Sequence, residues 1–133
     1  MRDIKNTLSY KWFQNVWNEG RRDMIDEMMN REGTFNDLVG DDHPQGLEGF
    51  KTFYDNFRKS FTNINVKVED VLQQDDMEAT RCVVTLTNVD TGKKATFSGM
   101  TFTKIRDGKI AVGWNCFDFL GMYQQMGMEL VGR

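Results

Sequence analysis

Residues 106–127 read RDGKIAVGWNCFDFLGMYQQMG, and this stretch decides the fold. Asp107-Gly108 is a hairpin signal, because a two-residue type I′ turn needs positive φ at both central positions and favours that pair. A strand is therefore predicted on either side. The second strand carries Trp114, Asn115 and Phe117 and stops at Asp118, where a short helix rich in Met and Gln begins. The turn also predicts a register. Arg106 pairs with Lys109 and Ile105 with Ile110, so an unbulged ladder sets Met100 opposite Asn115 and Thr101 opposite Trp114. Alternation then puts Ser98, Met100 and Phe102 on one face with Gly113, Asn115 and Phe117.

Working back toward the N-terminus, one strand covers Ala95 to Ile105, after a turn at Asp90-Thr91-Gly92. Cys82, Val84 and Leu86 alternate with Arg81, Val83 and Thr85, which predicts a strand with apolar residues on both faces. Ile64, Val66 and Val68 mark another. Before Asn63 the period is helical. Leu47, Phe50, Phe53, Tyr54, Phe57 and Phe61 predict a helix with a heavy aromatic face. Residues 33–46 hold the single Pro with Asp, Asn, Gly and His, and read as a loop holding at most a short strand. Met24, Ile25, Met28 and Met29 predict a short helix. Ile4, Leu8, Trp12, Val16 and Trp17 predict an opening amphipathic helix that Gly20 ends. Helices followed by an antiparallel meander define an α+β order. Strands that are apolar on both faces are expected to pack on the helices with one face and to meet a second subunit with the other.

A chain of 133 residues is expected to form one domain across residues 1–133. Its net charge of −3, with basic residues clustered only as Arg21-Arg22 and Lys93-Lys94, argues against nucleic acid as the main partner. Cys82 and Cys116 have no second cysteine near them, so neither belongs to a metal or redox motif, and free thiols fit a reducing compartment. The opening MRDIKNTLSYKWF has no signal-like apolar run, and no segment approaches the ~20 apolar residues of a membrane helix. A cytoplasmic protein with no membrane partner is the expectation. Nine Met and ten Phe either fill an irregular core or line a pocket for a flat apolar ligand, and composition leaves both open.

Four segments, VWNEG at 16–20, GLEGF at 46–50, FSG at 97–99 and the 107–127 stretch, occur in this order along nearly the whole chain. Together the set resembles the SnoaL-like polyketide cyclases of the nuclear transport factor 2-like superfamily, which also holds ketosteroid isomerase. Each segment is short, and their order carries the resemblance. It implies a cone-shaped curved antiparallel sheet wrapped around helices, an apolar pocket at the open end, and a homodimer. It also implies an intramolecular aldol ring closure on a polyketide-like compound, by acid/base chemistry without metal or organic cofactor. Such a step needs a base for the carbon acid and a donor for the growing enolate. Family cyclases place an Asp on the last strand and a His on the strand before it. In this sequence those positions fall at Asn115 and near Thr101 or Thr103. Neither Asn nor Thr takes a proton at neutral pH, so a cyclase- or isomerase-type enzyme would need other groups. A non-catalytic binder of a hydrophobic metabolite is the alternative.

Two residues are the acid/base candidates. Asp118 is the nearest carboxylate to the departed position, although its place before a helix equally suits an N-cap. His43, the one histidine, sits in DDHPQG and titrates near neutrality, though a solvated loop residue beside Asp41 and Asp42 would look the same. A metal held by Asp41, Asp42 and His43 is not expected, because adjacent residues rarely converge on one ion. Asn115 can bond a ligand carbonyl through its amide or be a buried amide satisfied by backbone. Trp12, Trp17, Tyr54, Phe57, Met100, Phe102 and Trp114 are the candidate lining, against a reading as plain core. Tyr54 also brings a hydroxyl. Arg81 suits either an anionic ligand group or a snorkelling edge position.

Overall fold

The Asp-Gly turn forms as the sequence requires: Asp107 has φ 53°, Gly108 has φ 74°, and Arg106 pairs with Lys109 across it. The computed structural model describes residues 3–38 and 44–132. After a 3-10 turn at Ile4–Asn6, helix α1 (Leu8–Trp12) runs into a π-helical segment, Phe13–Asn18. Then follow α2 (Met24–Met28), β1 (Met29–Asn36), α3 (Gly46–Ser60), β2 (Phe61–Gln74), β3 (Met77–Asn88), β4 (Lys94–Arg106), β5 (Lys109–Phe117) and α4 (Phe119–Gln125). The five strands form one curved sheet in the order β1-β5-β4-β3-β2. All neighbours are antiparallel except β1, which runs parallel to β5. The architecture is α+β, as expected.

Three features depart from the sequence reading. Strand β1 occupies Met29–Asn36, starting inside the residues that the sequence predicts as a short helix and running into the segment it reads as a loop with at most one short strand. Its apolar residues do not alternate cleanly, and its pairing with β5 shifts register between Met29 and Thr34. The opening helix widens to π geometry after Trp12. Finally, β5 carries a bulge. Ile105 pairs with Ile110 but Lys104 pairs with Val112, which leaves Ala111 as the extra residue, and Ile110 and Ala111 are both buried. Beyond the bulge every pairing moves by one, so Thr101 faces Asn115 and Phe102 faces Trp114.

That one-residue slip exchanges the faces. Thr101 and Thr103 share the inner face with Gly113, Asn115 and Phe117, while Met100 and Phe102 share the outer face with Trp114 and Cys116. The helices cover the inner face. Trp12, Phe13, Val16 and Trp17, with Phe50 and Tyr54 of α3, pack against Ile64, Val66, Cys82, Val84, Leu86, Phe97 and Ile110. The rings meet in tilted pairs, such as Phe35–Phe50 at 4.5 Å and Trp17–Tyr54 at 4.9 Å.

Polar side chains fasten the opening helix at both ends. Asn18 clamps β2 by accepting from Val66 N at 2.6 Å and donating to Val66 O at 2.9 Å. The Tyr54 hydroxyl donates to Val16 O at 2.8 Å. At the start of α1, the buried Glu78 carboxylate accepts from Leu8 N and Ser9 N, at 3.2 and 2.8 Å. Those are two of the N–H groups that a helix start leaves without partners. Among the described residues, no helix is long and apolar enough to cross a membrane.

Candidate functional site

Between the inner face of the sheet and the helices lies a cavity of about 80 Å³. Trp12, Phe13 and Trp17 supply one wall, and Phe50, Phe53 and Phe57 of α3 continue it. The opposite wall comes from Ile64, Val66, Val84 and Phe97. Leu38, Phe53, Phe57, Phe117 and Phe119 also line the cavity and are partly exposed, so they mark its open side. Two glycines make room for these rings. A Cβ on Gly113 would meet the Phe35 ring at 2.8 Å, and one on Gly99 would run into the Phe117 ring.

Four lining residues are polar: Ser9, Thr101, Thr103 and Asn115. None of the described lining residues carries a charge. Ser9 turns its hydroxyl away, donating to Glu78 Oε1 at 2.6 Å. Gln73 also donates to Glu78, so this carboxylate is engaged by backbone and side-chain donors and does not itself line the cavity. Asn115 donates from Nδ2 to Asn36 O at 2.9 Å. The Thr101 hydroxyl is buried and bonds to no group of the described residues, and neither does that of its cross-strand neighbour Thr80.

The candidate residues divide accordingly. Trp12, Trp17, Phe57 and Asn115 line the cavity. Met100, Phe102 and Trp114 do not: they stand on the outer face, 60%, 50% and 41% exposed. The Ala111 bulge moves Met100 and Phe102 off the face of Asn115, whereas Trp114, next to Asn115 in the strand, lies opposite it in either register. Tyr54 is buried but lies outside the lining, with its hydroxyl committed to Val16 O. Burial pushes its phenol above the ordinary value. Asp118 is exposed and caps α4, accepting from Gly121 N at 2.8 Å, so its carboxylate is turned to a backbone N–H rather than into the cavity. Arg81 sits on the outer face in an ion pair with Asp70, at 2.7 Å. His43, with Asp41 and Asp42, lies outside the described residues. The thiols differ: burial pushes Cys82 up to about 12, whereas Cys116 is exposed.

Sequence reading missed the Ser9–Glu78 contact, although a signal existed. Glu78 and Thr80 fall on the same alternation phase as Cys82, Val84 and Leu86, so a carboxylate was bound for the interior and needed donors there.

A curved sheet folded over helices around an apolar cavity defines the class, an α+β domain of the ketosteroid isomerase-like kind. Within that class the chain belongs to the SnoaL-like polyketide cyclase family, whose model matches residues 7–126. A Bacillus cereus ATCC 10987 protein named as a polyketide cyclase is 30% identical over 92% of this chain and 80% of its own, with a TM-score of 0.79. IdmH of Streptomyces antibioticus, also named as a polyketide cyclase, has a TM-score of 0.79 at 23% identity, covering 95% of this chain and all of its own. A Catenulispora acidiphila protein of ketosteroid isomerase-like fold, solved with trimethylamine, has a TM-score of 0.84 at 13% identity, over 92% of this chain and 94% of its own. The last two likenesses speak to the fold. No curated protein matches the chain.

Proposed function

We propose that this chain binds a compact, largely apolar, oxygen-bearing compound of the polyketide-like or cyclic carbonyl kind in the cavity. The observation that carries the reading is the lining itself: aromatic and aliphatic walls, a few uncharged polar groups, and no ionisable side chain among the described lining residues. Such a site holds and orients a guest but supplies no proton-transfer group of its own. Size narrows the guest. Dry cavities of roughly 150 Å³ take up benzene, and this one measures about 80 Å³. A single ring therefore fits only if the side chains at the open side move outward, and a larger skeleton requires them to swing further. The test is calorimetric titration with single-ring ketones and phenols, on the wild type and on Val84→Phe, which plugs the cavity from the sheet side. Binding to the wild type that the plug abolishes supports the reading. A guest that binds both proteins equally is bound elsewhere and overturns it.

A second reading is cofactor-free acid/base turnover of the family type, with His43 as the base. What favours it is the sequence position of the 39–43 segment, which joins the lining residue Leu38 to Pro44. On this reading His43→Ala lowers any ring-closing turnover at least ~100-fold, the usual worth of a positioned acid or base. Asp118→Asn, which keeps a capping oxygen, leaves turnover in place. Equal rates in wild type and His43→Ala refute this second reading. The proposal extends to assembly: a second copy of the chain covers the apolar outer face of the sheet.

A further inference from the structure

Two polar side chains that face each other in the cavity wall, Thr101 and Asn115, specify the chemistry of the guest. Val71, Thr80, Thr101 and Asn115 are successive partners across β2, β3, β4 and β5. Thr101 is 7% exposed, lines the cavity, and has a hydroxyl that no group of the described residues satisfies. A buried hydroxyl left this way is destabilising, so its retention calls for a partner. Asn115 has a fixed orientation. Its Nδ2 donates to Asn36 O, and because a backbone carbonyl only accepts, the amide is not reversible. Its Oδ1 is thereby left as an acceptor, and no described protein group donates to it.

Thr101 and Asn115 stand directly opposite each other on neighbouring strands, with Cβ atoms about 5 Å apart in such a pair. One ligand oxygen placed between them reaches both. A hydroxyl satisfies both, accepting from Thr101 Oγ1–H and donating to Asn115 Oδ1. A ketone or ether oxygen accepts only, and it sets a lone pair against Oδ1. A carboxylate does the same and meets no cation among the described lining residues. An ammonium could donate to both oxygens, but no carboxylate lines the cavity to offset burial of its charge.

We infer that the cavity selects a neutral guest that presents a hydroxyl, namely a phenol, an enol or an alcohol on a compact apolar ring. Thr101 donates to that hydroxyl and Asn115 accepts from it. The inference rests on the small-molecule reading above, and the experiment separates the two. p-Cresol, 4-methylanisole and toluene share a ring and differ in having a donor–acceptor oxygen, an acceptor oxygen or none. Calorimetric titration of the wild type should give p-cresol an advantage of about tenfold over both others. Thr101→Val should shrink that advantage to about twofold while the melting temperature holds or rises, since it removes an unpartnered hydroxyl and keeps the shape. Thr101→Ala should lose the preference in the same way if the valine variant folds poorly. Thr80→Val should keep it, because Thr80 does not line the cavity. Equal affinities for all three compounds, or a preference that survives both Thr101 changes, overturns the inference but leaves the small-molecule reading standing. Binding of none of them by the wild type sinks both.

Discussion

At the scale of single residues, buried polar groups decide what the fold tolerates. Glu78 is 1% exposed and holds the start of α1 through Leu8 N, Ser9 N and the Ser9 hydroxyl. Glu78→Ala strips the partner from all three donors at once and should lower unfolding free energy by about 3 kcal/mol, read from a urea melt. Glu78→Gln turns an amide N–H against those donors and should lose about 2 kcal/mol. A Glu78→Ala melt that overlays the wild type would end the capping role. Cys82 sets the alkaline limit. Its thiol ordinarily ionises near 9, and burial raises this to about 12 in the fold. The unfolded chain therefore releases that proton first. The contribution is complete below pH 9 and is lost as pH climbs through the window to 12. Burial raises Tyr54 and Tyr123 as well, which adds to the same trend. Urea midpoints measured on either side of the window should fall with rising pH, less steeply in Cys82→Ala. At neutral pH a thiol reagent should spare the buried Cys82 until the chain unfolds.

At the scale of elements, the parts governed by local chemistry were legible and those governed by pairing were not. The Asp107-Gly108 turn, the aromatic face of α3 and the Asp118 cap follow from φ preference, helical period and a side-chain oxygen at the right place. The start of strand β1 at Met29 and its parallel pairing were hidden because MNREGTFN has little β propensity, and the strand's place comes from β5, far along the chain. The Ala111 bulge was hidden for a related reason. Ile110, Val112 and Trp114 alternate as an unbroken strand would, and only the need to bury both Ile110 and Ala111 reveals the extra residue. From that one residue came the misplacement of Met100 and Phe102, whereas Trp114, adjacent to Asn115 in the strand, faces away from it in either register. The strands also position the cavity's rings. Phe117 lies over its cross-strand partner Gly99, where any Cβ would collide with it. Gly99→Ala should displace that ring, lower stability by about 1–3 kcal/mol and weaken binding of any guest in the cavity. Thermal melts and titration with p-cresol check both effects. Unchanged binding would mean that Phe117 has no part in shaping the cavity.

At the scale of the whole molecule, the outer face of the sheet is where the proposed second copy would sit. Leu72, Ala79, Phe102 and Trp114 form one rung across four strands, with Phe102 and Trp114 edge to face at 6.5 Å. Leu72 is 73% exposed, and the neighbouring rung adds Met100 at 60%. A contiguous apolar patch on a sheet face is rarely left to water. Two of the flanking cations are paired within the chain, Arg81 with Asp70 and Lys67 with Glu69, so they add no net charge to repel a second copy. An isologous two-fold contact needs just such a self-compatible surface, and a stable one covers at least about 1,000 Å². The wild-type chain should therefore sediment as a dimer. Phe102→Lys combined with Trp114→Lys sets like charges against each other across the two-fold and should give monomers. Both side chains point away from the cavity, so the monomeric variant should still bind p-cresol within about threefold of wild type. A wild-type chain that sediments as a monomer at every concentration would remove the second copy from this face. Loss of guest binding in the monomer would instead mean that the sheet keeps its curvature, and so its cavity, only when two copies brace each other.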